Sequence, residues 1–225
     1  MSLIFSPNSS KRHGVYLGGK AEAKSRSKLE QMGITHILNV TPEKDSSIQA
    51  GVPNYFEKKK PMKLKYRRIP VFDLPTSACD LLSRAPSIVS FISNGLHHGS
   101  VLIHCQRGVS RSATALLFYL MSKQGMTLDS ALSLCQEKRP SVQPIAAFME
   151  KLREYEEQCI SKELISVVND STEGTRVEKR KASTMKEITG PSKRKCAIGP
   201  ALPPGFKLTQ SVSGKSQHGG KHSDR

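Results

Sequence analysis

Short apolar runs rich in β-branched residues alternate with longer stretches of helical periodicity between about Gly14 and Cys159. The apolar runs predict strands at 15–17, 36–40, 66–71 and 100–104. The longer stretches predict helices at about 22–32, 80–97, 111–124, 127–138 and 144–159. This alternation is typical of βαβ units, so we predict an α/β fold with a central, mostly parallel sheet of four to five strands flanked by about six helices.

The pattern weakens after about Ser161, where polar residues, glycine and proline dominate and aromatic residues become rare. Such a composition buries too little apolar surface to offset the entropy lost on ordering. We therefore predict a flexible N-terminus over 1–13, one folded domain over 14–160 and a disordered basic tail over 161–225. The N-terminal apolar run covers only three residues, so no signal peptide or transmembrane segment is predicted.

Positive charge is spread over both parts of the chain. The net charge is +16, with 22 Lys and Arg against 13 Asp and Glu in residues 1–160 and 13 against 6 in residues 161–225. This balance fits phosphoproteins, RNA or another acidic partner, and it equally fits a cationic protein without such a partner. The five cysteines form no Cys-x-x-Cys pair and have no metal-ligand spacing with histidine, which predicts reduced thiols and no metal site.

One segment has the pattern of a phosphate-binding loop. The strand at 100–104 leads into H-C-Q-R-G-V-S-R-S, residues 104–112, and then into an apolar helix. At a helix N-terminus such a loop directs its backbone amides inward, and the helix dipole favours an anion. The same amides would stabilise a thiolate at Cys105 and make it a nucleophile, whereas a cysteine elsewhere is more often a buried core thiol. The predicted substrate-binding residues are Gln106, Arg107, Gly108, Val109, Ser110 and Arg111.

Arg111 lies six positions after Cys105, at the start of the predicted helix. Its planar guanidinium offers two parallel donors to two phosphate oxygens, a geometry that lysine lacks. We therefore expect Arg111 to bind phosphate and to stabilise the charge of the transition state.

A cysteine, five residues and an arginine resemble the signature of the protein tyrosine phosphatase superfamily, and H-C-x-x-G-V-S-R-S narrows the resemblance to the dual-specificity phosphatases. Further segments follow in that family's order: G-I-T-H-I-L-N-V at 33–40, P-N-Y-F-E at 53–57, Y-R-R-I-P-V-F-D at 66–73 and R-P-S-V-Q-P at 139–144. The resemblance covers about residues 14–157. It implies the fold and the chemistry of a small, atypical member that uses no metal or organic cofactor.

The resemblance also implies roles for three more residues. Asp73 would protonate the leaving alcohol and later activate water on the cysteinyl-phosphate. Ser112 would donate a hydrogen bond to the Cys105 sulfur, and His104 would orient the loop and tune the thiolate. From the residues alone, Asp73 could instead cap the following helix, the role that we expect of Asp80.

Two positions depart from the common family pattern. Arg107 stands where a small alanine is usual in the family. Related RNA 5′-phosphatases can carry a larger basic residue there, so this position favours a strongly anionic substrate. Ile145 stands where asparagine is common, which predicts the loss of one supporting hydrogen bond to the loop.

Three functional hypotheses follow from these features. The leading one is a dual-specificity protein phosphatase that hydrolyses phosphotyrosine and phosphoserine or phosphothreonine through a cysteinyl-phosphate intermediate. The first alternative is a phosphatase of RNA 5′-phosphates or phosphoinositides. The second alternative is a weakly active scaffold that binds phosphoproteins. The sequence does not indicate an oligomeric state.

The predicted tail contains two further motifs. Basic clusters at 179–181 and 193–195 have the spacing of a bipartite nuclear-import signal, so an import receptor is a candidate partner, as are RNA and acidic surfaces. The predicted location is therefore the nucleus, the cytoplasm or both. The proline-rich segment 198–206 suits extended docking on an aromatic groove.

Overall fold

The computed structural model describes residues 1–6, 13–44, 51–57 and 63–170, with side chains described as far as residue 162. The rest of the predicted tail lies outside these ranges, together with both basic clusters and the proline-rich segment. The expectations for those segments therefore stay predictions.

A five-stranded sheet forms the centre of the fold. Its strands are β1 (Ser2–Phe5), β2 (Val15–Gly18), β3 (Ile34–Asn39), β4 (Lys65–Arg68) and β5 (Ser100–His104). Their order across the sheet is β1-β2-β5-β3-β4, and all neighbouring strands are parallel except β1 and β2. The predicted α/β fold with a mostly parallel sheet is confirmed.

Strand β1 corrects the prediction for the N-terminus. A flexible segment was expected over 1–13, but Ser2 and Leu3 pair antiparallel with β2. Ile4 is only 4% exposed and packs into the core, whereas Leu3 is 46% exposed. The apolar run is too short to indicate a strand by itself. It forms a strand because β2 lies beside it and supplies its hydrogen-bond partners.

Seven α-helices accompany the sheet in the described residues. They are α1 (Lys20–Lys24), α2 (Arg26–Gln31), α3 (Ala78–Ser83), α4 (Ala85–Leu96), α5 (Arg111–Gln124), α6 (Leu128–Lys138) and α7 (Ala146–Asp170). A short 3-10 turn, Pro75–Ser77, precedes α3. Within these ranges no helix combines the length and the apolarity that a membrane span requires.

Two helices predicted as continuous are broken, and one is longer than predicted. Ser25 has an extended backbone, with φ −89° and ψ 98°, and it separates α1 from α2. Pro86 lies in the first turn of α4 and has no amide hydrogen to donate, so the helix predicted at 80–97 divides at Arg84. Helix α7 continues to Asp170, so residues 161–170 are helical where the sequence predicted a disordered tail.

The core surrounds α5, which packs against the sheet and against α4, α6 and α7. All its side chains from Arg111 to Met121 are buried. Phe118 at its centre is 4.7 Å from Tyr155 of α7 in an edge-to-face ring contact. Since β5 is also entirely buried, both elements that flank the predicted phosphate-binding loop are fixed by the core.

The described cysteines are of two kinds. Cys105, Cys135 and Cys159 are free thiols. Cys79 is disulfide-bonded, so the prediction of reduced thiols is wrong at this position.

Candidate active site

The loop between β5 and α5 lies at the carboxyl end of the central strand, which is where open parallel sheets commonly bind ligands. The backbone amide of Val40, just after β3, donates to the carbonyl of His104 over 2.8 Å. The loop therefore begins from a strand whose last residue is still hydrogen-bonded to its neighbour.

Glycines shape the loop and the wall behind it. Gly108 has φ +74°, and a Cβ atom there would collide with the backbone of Gly18. A Cβ atom on Gly19 would lie 2.9 Å from the carbonyl group of Arg107. The amide of Lys20 also donates to the Gln106 carbonyl over 3.0 Å. This contact between the loop and the end of β2 was not predicted, although the Gly-Gly pair at 18–19 is a sequence signal of close backbone approach.

Cys105 lies at the base of the loop and is 2% exposed. Its sulfur accepts hydrogen bonds from Ser112 Oγ at 3.2 Å and from the amide of Gly108 at 3.3 Å. Burial by itself would raise the pKa of the Cys105 thiol. The hydrogen bonds from Ser112 and Gly108 and the charge of Arg111 outweigh burial, so the pKa of this thiol is lowered. The site therefore favours a thiolate.

Arg111 begins α5 and is 4% exposed. Its Nη1 donates to the carbonyl oxygen of Val71 over 3.1 Å. Its Nε has no hydrogen-bond acceptor within the described ranges and lies 4.0 Å from Asp73 Oδ2. One edge of the guanidinium is thus anchored, while a second donor is free to meet an oxyanion bound over the loop.

Asp73 reaches the opposite end of the loop. Its Oδ1 accepts a hydrogen bond from Ser110 Oγ at 2.6 Å, and its side chain is 29% exposed. The capping alternative is not supported, because the N-cap residue of the 3-10 turn that follows is Leu74, and no side chain caps this turn. Asp80 lies inside the first turn of α3 and pairs with Arg84 at 2.9 Å, so the capping role expected of Asp80 is wrong.

His104 is fully buried beneath the loop. Its Nδ1 lies 3.3 Å from the carbonyl oxygen of Cys105, and its Nε2 has no partner in the described part of the chain. Burial lowers the pKa of His104 to about 4, so the ring is neutral at physiological pH. The structure places His104 against the backbone of the nucleophile and not against its sulfur.

Arg139 holds the outer side of the loop. Its Nε donates to the Gly108 carbonyl and its Nη2 to the Arg107 carbonyl, each over 3.0 Å. Glu22 of α1 lies 3.8 Å from Arg139 Nη1 and accepts the amide of Gly19 at 2.9 Å. The R-P-S-V-Q-P segment contains Arg139, but the sequence suggested no function for this side chain. Nothing in the sequence pointed to Glu22.

The backbone after Arg139 also contacts the loop. The amide of Ile145 approaches Ser110 Oγ at 3.4 Å, and the amide of Gln143 donates to the Val109 carbonyl over 3.0 Å. The Ile145 side chain packs against the core instead. Main-chain donors therefore hold the loop at the position where the family commonly has asparagine.

Arg68 secures the segment beside the site, a role that the sequence did not indicate. Its Nη1 donates to the carbonyls of Pro42 at 2.8 Å and Val52 at 3.0 Å, and its Nη2 donates to Asn54 Oδ1 at 3.1 Å. One guanidinium thus joins β4 to the segment that follows β3. A lysine could not bridge these acceptors, because it lacks the planar fork.

The site combines a buried thiol of lowered pKa in a phosphate-binding loop, an arginine at the start of the next helix and a carboxylate that contacts the loop. This combination is characteristic of the cysteine-based protein tyrosine phosphatase superfamily. Residues 15–158 match the family described as dual specificity phosphatase, catalytic domain, and the chain belongs to that family.

Individual relatives agree with this assignment. The chain is 38% identical over 143 residues to dual specificity protein phosphatase 19 of Mus musculus, covering 63% of this chain and 59% of that protein. The crystal structure of human DUSP28 superposes on this chain with a TM-score of 0.57 and a sequence identity of 27%. The match covers 66% of this chain and 94% of the DUSP28 chain. A crystal structure of human tyrosine phosphatase-like serine/threonine/tyrosine-interacting protein is 29% identical, with a TM-score of 0.57, covering 65% and 93%. The chain spans 9%, 18% and 59% of three of its curated relatives.

Proposed function

We propose that this chain is a protein phosphatase that hydrolyses phosphotyrosine and phosphoserine or phosphothreonine through a cysteinyl-phosphate intermediate. The observation that carries the proposal is the Cys105 sulfur, which accepts hydrogen bonds from Ser112 and Gly108 beside the guanidinium of Arg111. These groups favour the thiolate, which is the nucleophilic form of cysteine. Membership of the dual specificity phosphatase family supports the same activity.

In the first step, the Cys105 thiolate attacks phosphorus and the bond from phosphorus to the ester oxygen breaks. Asp73 gives its proton to the leaving alcohol, since an alkoxide is a poor leaving group. The loop amides and Arg111 stabilise the charge on the three equatorial oxygens. The products are the free alcohol and a phosphoryl group on sulfur.

In the second step, water attacks the cysteinyl-phosphate while the carboxylate of Asp73 takes a proton from it. The sulfur–phosphorus bond breaks, inorganic phosphate leaves and the thiolate of Cys105 returns. Ser112 Oγ, 3.2 Å from the sulfur, donates a hydrogen bond that stabilises the departing thiolate.

A comparison of four substrates separates the proposal from its alternatives. The kcat/KM values are measured for a phosphotyrosine peptide, a phosphothreonine peptide, an RNA with a 5′-triphosphate and a micellar phosphoinositide. We expect both peptides to exceed the other two by at least about tenfold, a discrimination within reach of specific contacts. Faster RNA or lipid turnover would favour the alternative that exposed Arg107 supports. Phosphopeptide binding without turnover would favour the scaffold.

Ser112→Ala is expected to cause the intermediate to accumulate. Without the hydroxyl, the thiolate is a worse leaving group, so the second step slows more than the first. With a small aryl phosphate, stopped-flow absorbance should record a burst of about one alcohol per enzyme before a slower steady state. Mass spectrometry of quenched enzyme should find one phosphoryl group on the Cys105 peptide.

The matched control is Ser122→Ala, because Ser122 lies on the same helix and its hydroxyl contacts the backbone carbonyl of Phe118 and the side chain of Tyr155, away from Cys105. Its kinetics should match those of the wild type. The midpoint of the pH dependence of iodoacetamide labelling at Cys105 should also rise in Ser112→Ala, because that variant removes a hydrogen bond that lowers the thiol pKa. An absent burst, together with an unchanged labelling profile, would contradict the role of Ser112.

A further inference from the structure

An exposed apolar side chain lies next to the carboxylate of the site. Leu74 directly follows Asp73 and is 52% exposed; the other exposed large hydrophobic side chains in the described residues are Leu3 and Ile160. Pro75 restricts the residue before it to extended conformations, and Leu74 has φ −133° and ψ 149°. The Leu74 carbonyl also accepts the amide of Ser77 at 3.0 Å. A rigid backbone therefore presents this side chain to solvent, which lowers the entropy cost of packing a ligand against it.

An exposed cation lies on the loop itself. The guanidinium of Arg107 forms no hydrogen bond or ion pair with any residue in the described ranges, whereas its carbonyl is held by Arg139 at 3.0 Å. The nearby carboxylates are already occupied, since Glu22 contacts Gly19 and Arg139 and Asp73 accepts from Ser110. The charge of Arg107 is thus available to an anionic group of a ligand.

These two side chains belong to different segments that meet at the loop. Leu74 belongs to the segment that contacts Ser110, the last residue before α5. Arg107 belongs to the part of the loop that packs against Gly19 and Arg139. A phosphorylated ligand whose phosphate rests on the loop amides would therefore meet an apolar group on one side and a cation on the other.

We propose that Leu74 and Arg107 form a two-sided recognition site for phosphopeptides. The peptide has an apolar residue on one flank of the phosphoresidue and a carboxylate or a second phosphate on the other. This inference rests on the proposed function and narrows its substrate class. An RNA 5′ end would satisfy Arg107 but offers no aliphatic side chain to Leu74, so the apolar residue favours a peptide.

A matrix of phosphothreonine peptides tests the proposal on the full chain. The residue on one side of the phosphothreonine is leucine or serine, and the residue on the other side is glutamate, phosphoserine or glutamine. Each combination is made twice, once with the first of these residues N-terminal to the phosphothreonine and once with it C-terminal. In one direction, leucine and an anionic residue should each raise kcat/KM by about tenfold, the scale of one added specific contact. Comparing glutamate with phosphoserine identifies which anion Arg107 prefers.

Variants assign each preference to its residue. Arg107→Ala should reduce the anion preference, expressed as a ratio of kcat/KM values, to about one while the leucine preference persists. Leu74→Ala should do the reverse. Ratios are compared because a general loss of activity cancels from them. Ile160→Ala is the apolar control, and Lys123→Ala is the charge control because it lies about 18 Å along α5 from Arg111.

The outcomes separate this inference from the proposed function. If the wild type hydrolyses phosphopeptides with equal kcat/KM across the matrix, or if each variant keeps its preference, the recognition site is wrong and the phosphatase assignment stands. If a 5′-triphosphate RNA is turned over faster than the best peptide, the inference is also overturned. If the wild type hydrolyses no phosphate ester, the proposed function and the inference fail together.

Discussion

Cys105→Ser is expected to lower turnover by about 10⁴-fold or more, the scale on which removal of a catalytic nucleophile acts. The loop lowers the pKa of the Cys105 thiol through hydrogen bonds from Ser112 and Gly108 and through the charge of Arg111. The same groups cannot ionise a serine hydroxyl, which holds its proton far more tightly than a thiol does. The two side chains that act on the sulfur are the hydroxyl of Ser112 and the cation Arg111. Neither would serve as a base for a serine at position 105.

The measurement is single-turnover hydrolysis of an aryl phosphate with enzyme in excess, across about pH 5–8, where thiols of lowered pKa titrate. Binding of a phosphopeptide should persist in Cys105→Ser, because the loop amides and Arg111 remain. Cys135→Ala is the control: burial raises the pKa of Cys135 to about 12, so this thiol is inert. A wild type as inactive as Cys105→Ser, with phosphopeptide binding intact, would instead support the scaffold hypothesis.

The nucleophile loop could be predicted from the sequence because its parts are contiguous. Strand β5, the loop and the start of α5 follow one another, and a buried apolar strand that leads through glycine and serine into an apolar helix is a local pattern. The fold class followed in the same way from the alternation of short and long apolar segments. Local patterns therefore predicted the elements that carry Cys105 and Arg111.

Contacts between distant segments could not be read from any local pattern. Asp73 and Ser110 are separated by 37 positions, and only the family resemblance brought Asp73 to the loop. Glu22 and Arg139 lie far apart in the sequence yet pair at 3.8 Å, and no periodicity indicates this contact. The resemblance predicted the reacting groups, whereas the groups that hold them became visible only in three dimensions.

Ile145 illustrates a different limit of sequence comparison. The sequence predicted a lost hydrogen bond because an asparagine side chain is absent there. The Ile145 side chain packs against the core and supplies no such bond, while the amides of Gln143 and Ile145 contact the loop. Every residue except proline carries a backbone donor, so the sequence indicated the side-chain contact that is lost but not the main-chain contacts that remain.

Asp73→Asn is expected to lower kcat on phosphothreonine peptides by about 10²–10⁴-fold, the usual contribution of general acid catalysis. Asparagine preserves the shape and an oxygen acceptor for Ser110 Oγ but cannot give a proton to the leaving alkoxide. The rise in rate at low pH should persist in Asp73→Asn, because that rise follows formation of the Cys105 thiolate, whose pKa the loop lowers.

The leaving group distinguishes proton donation by Asp73 from mere support of the loop. An aryl phosphate with strongly electron-withdrawing substituents needs little protonation, so Asp73→Asn should impair its first step far less than that of an alkyl phosphate. Ser110→Ala removes the hydroxyl bonded to Asp73 but keeps the acid, and it should affect both esters alike. Asp80→Asn should affect neither, because the Asp80 side chain pairs with Arg84 outside the site. Equal losses for both esters in Asp73→Asn would mean that this carboxylate positions the loop and that another group supplies the proton.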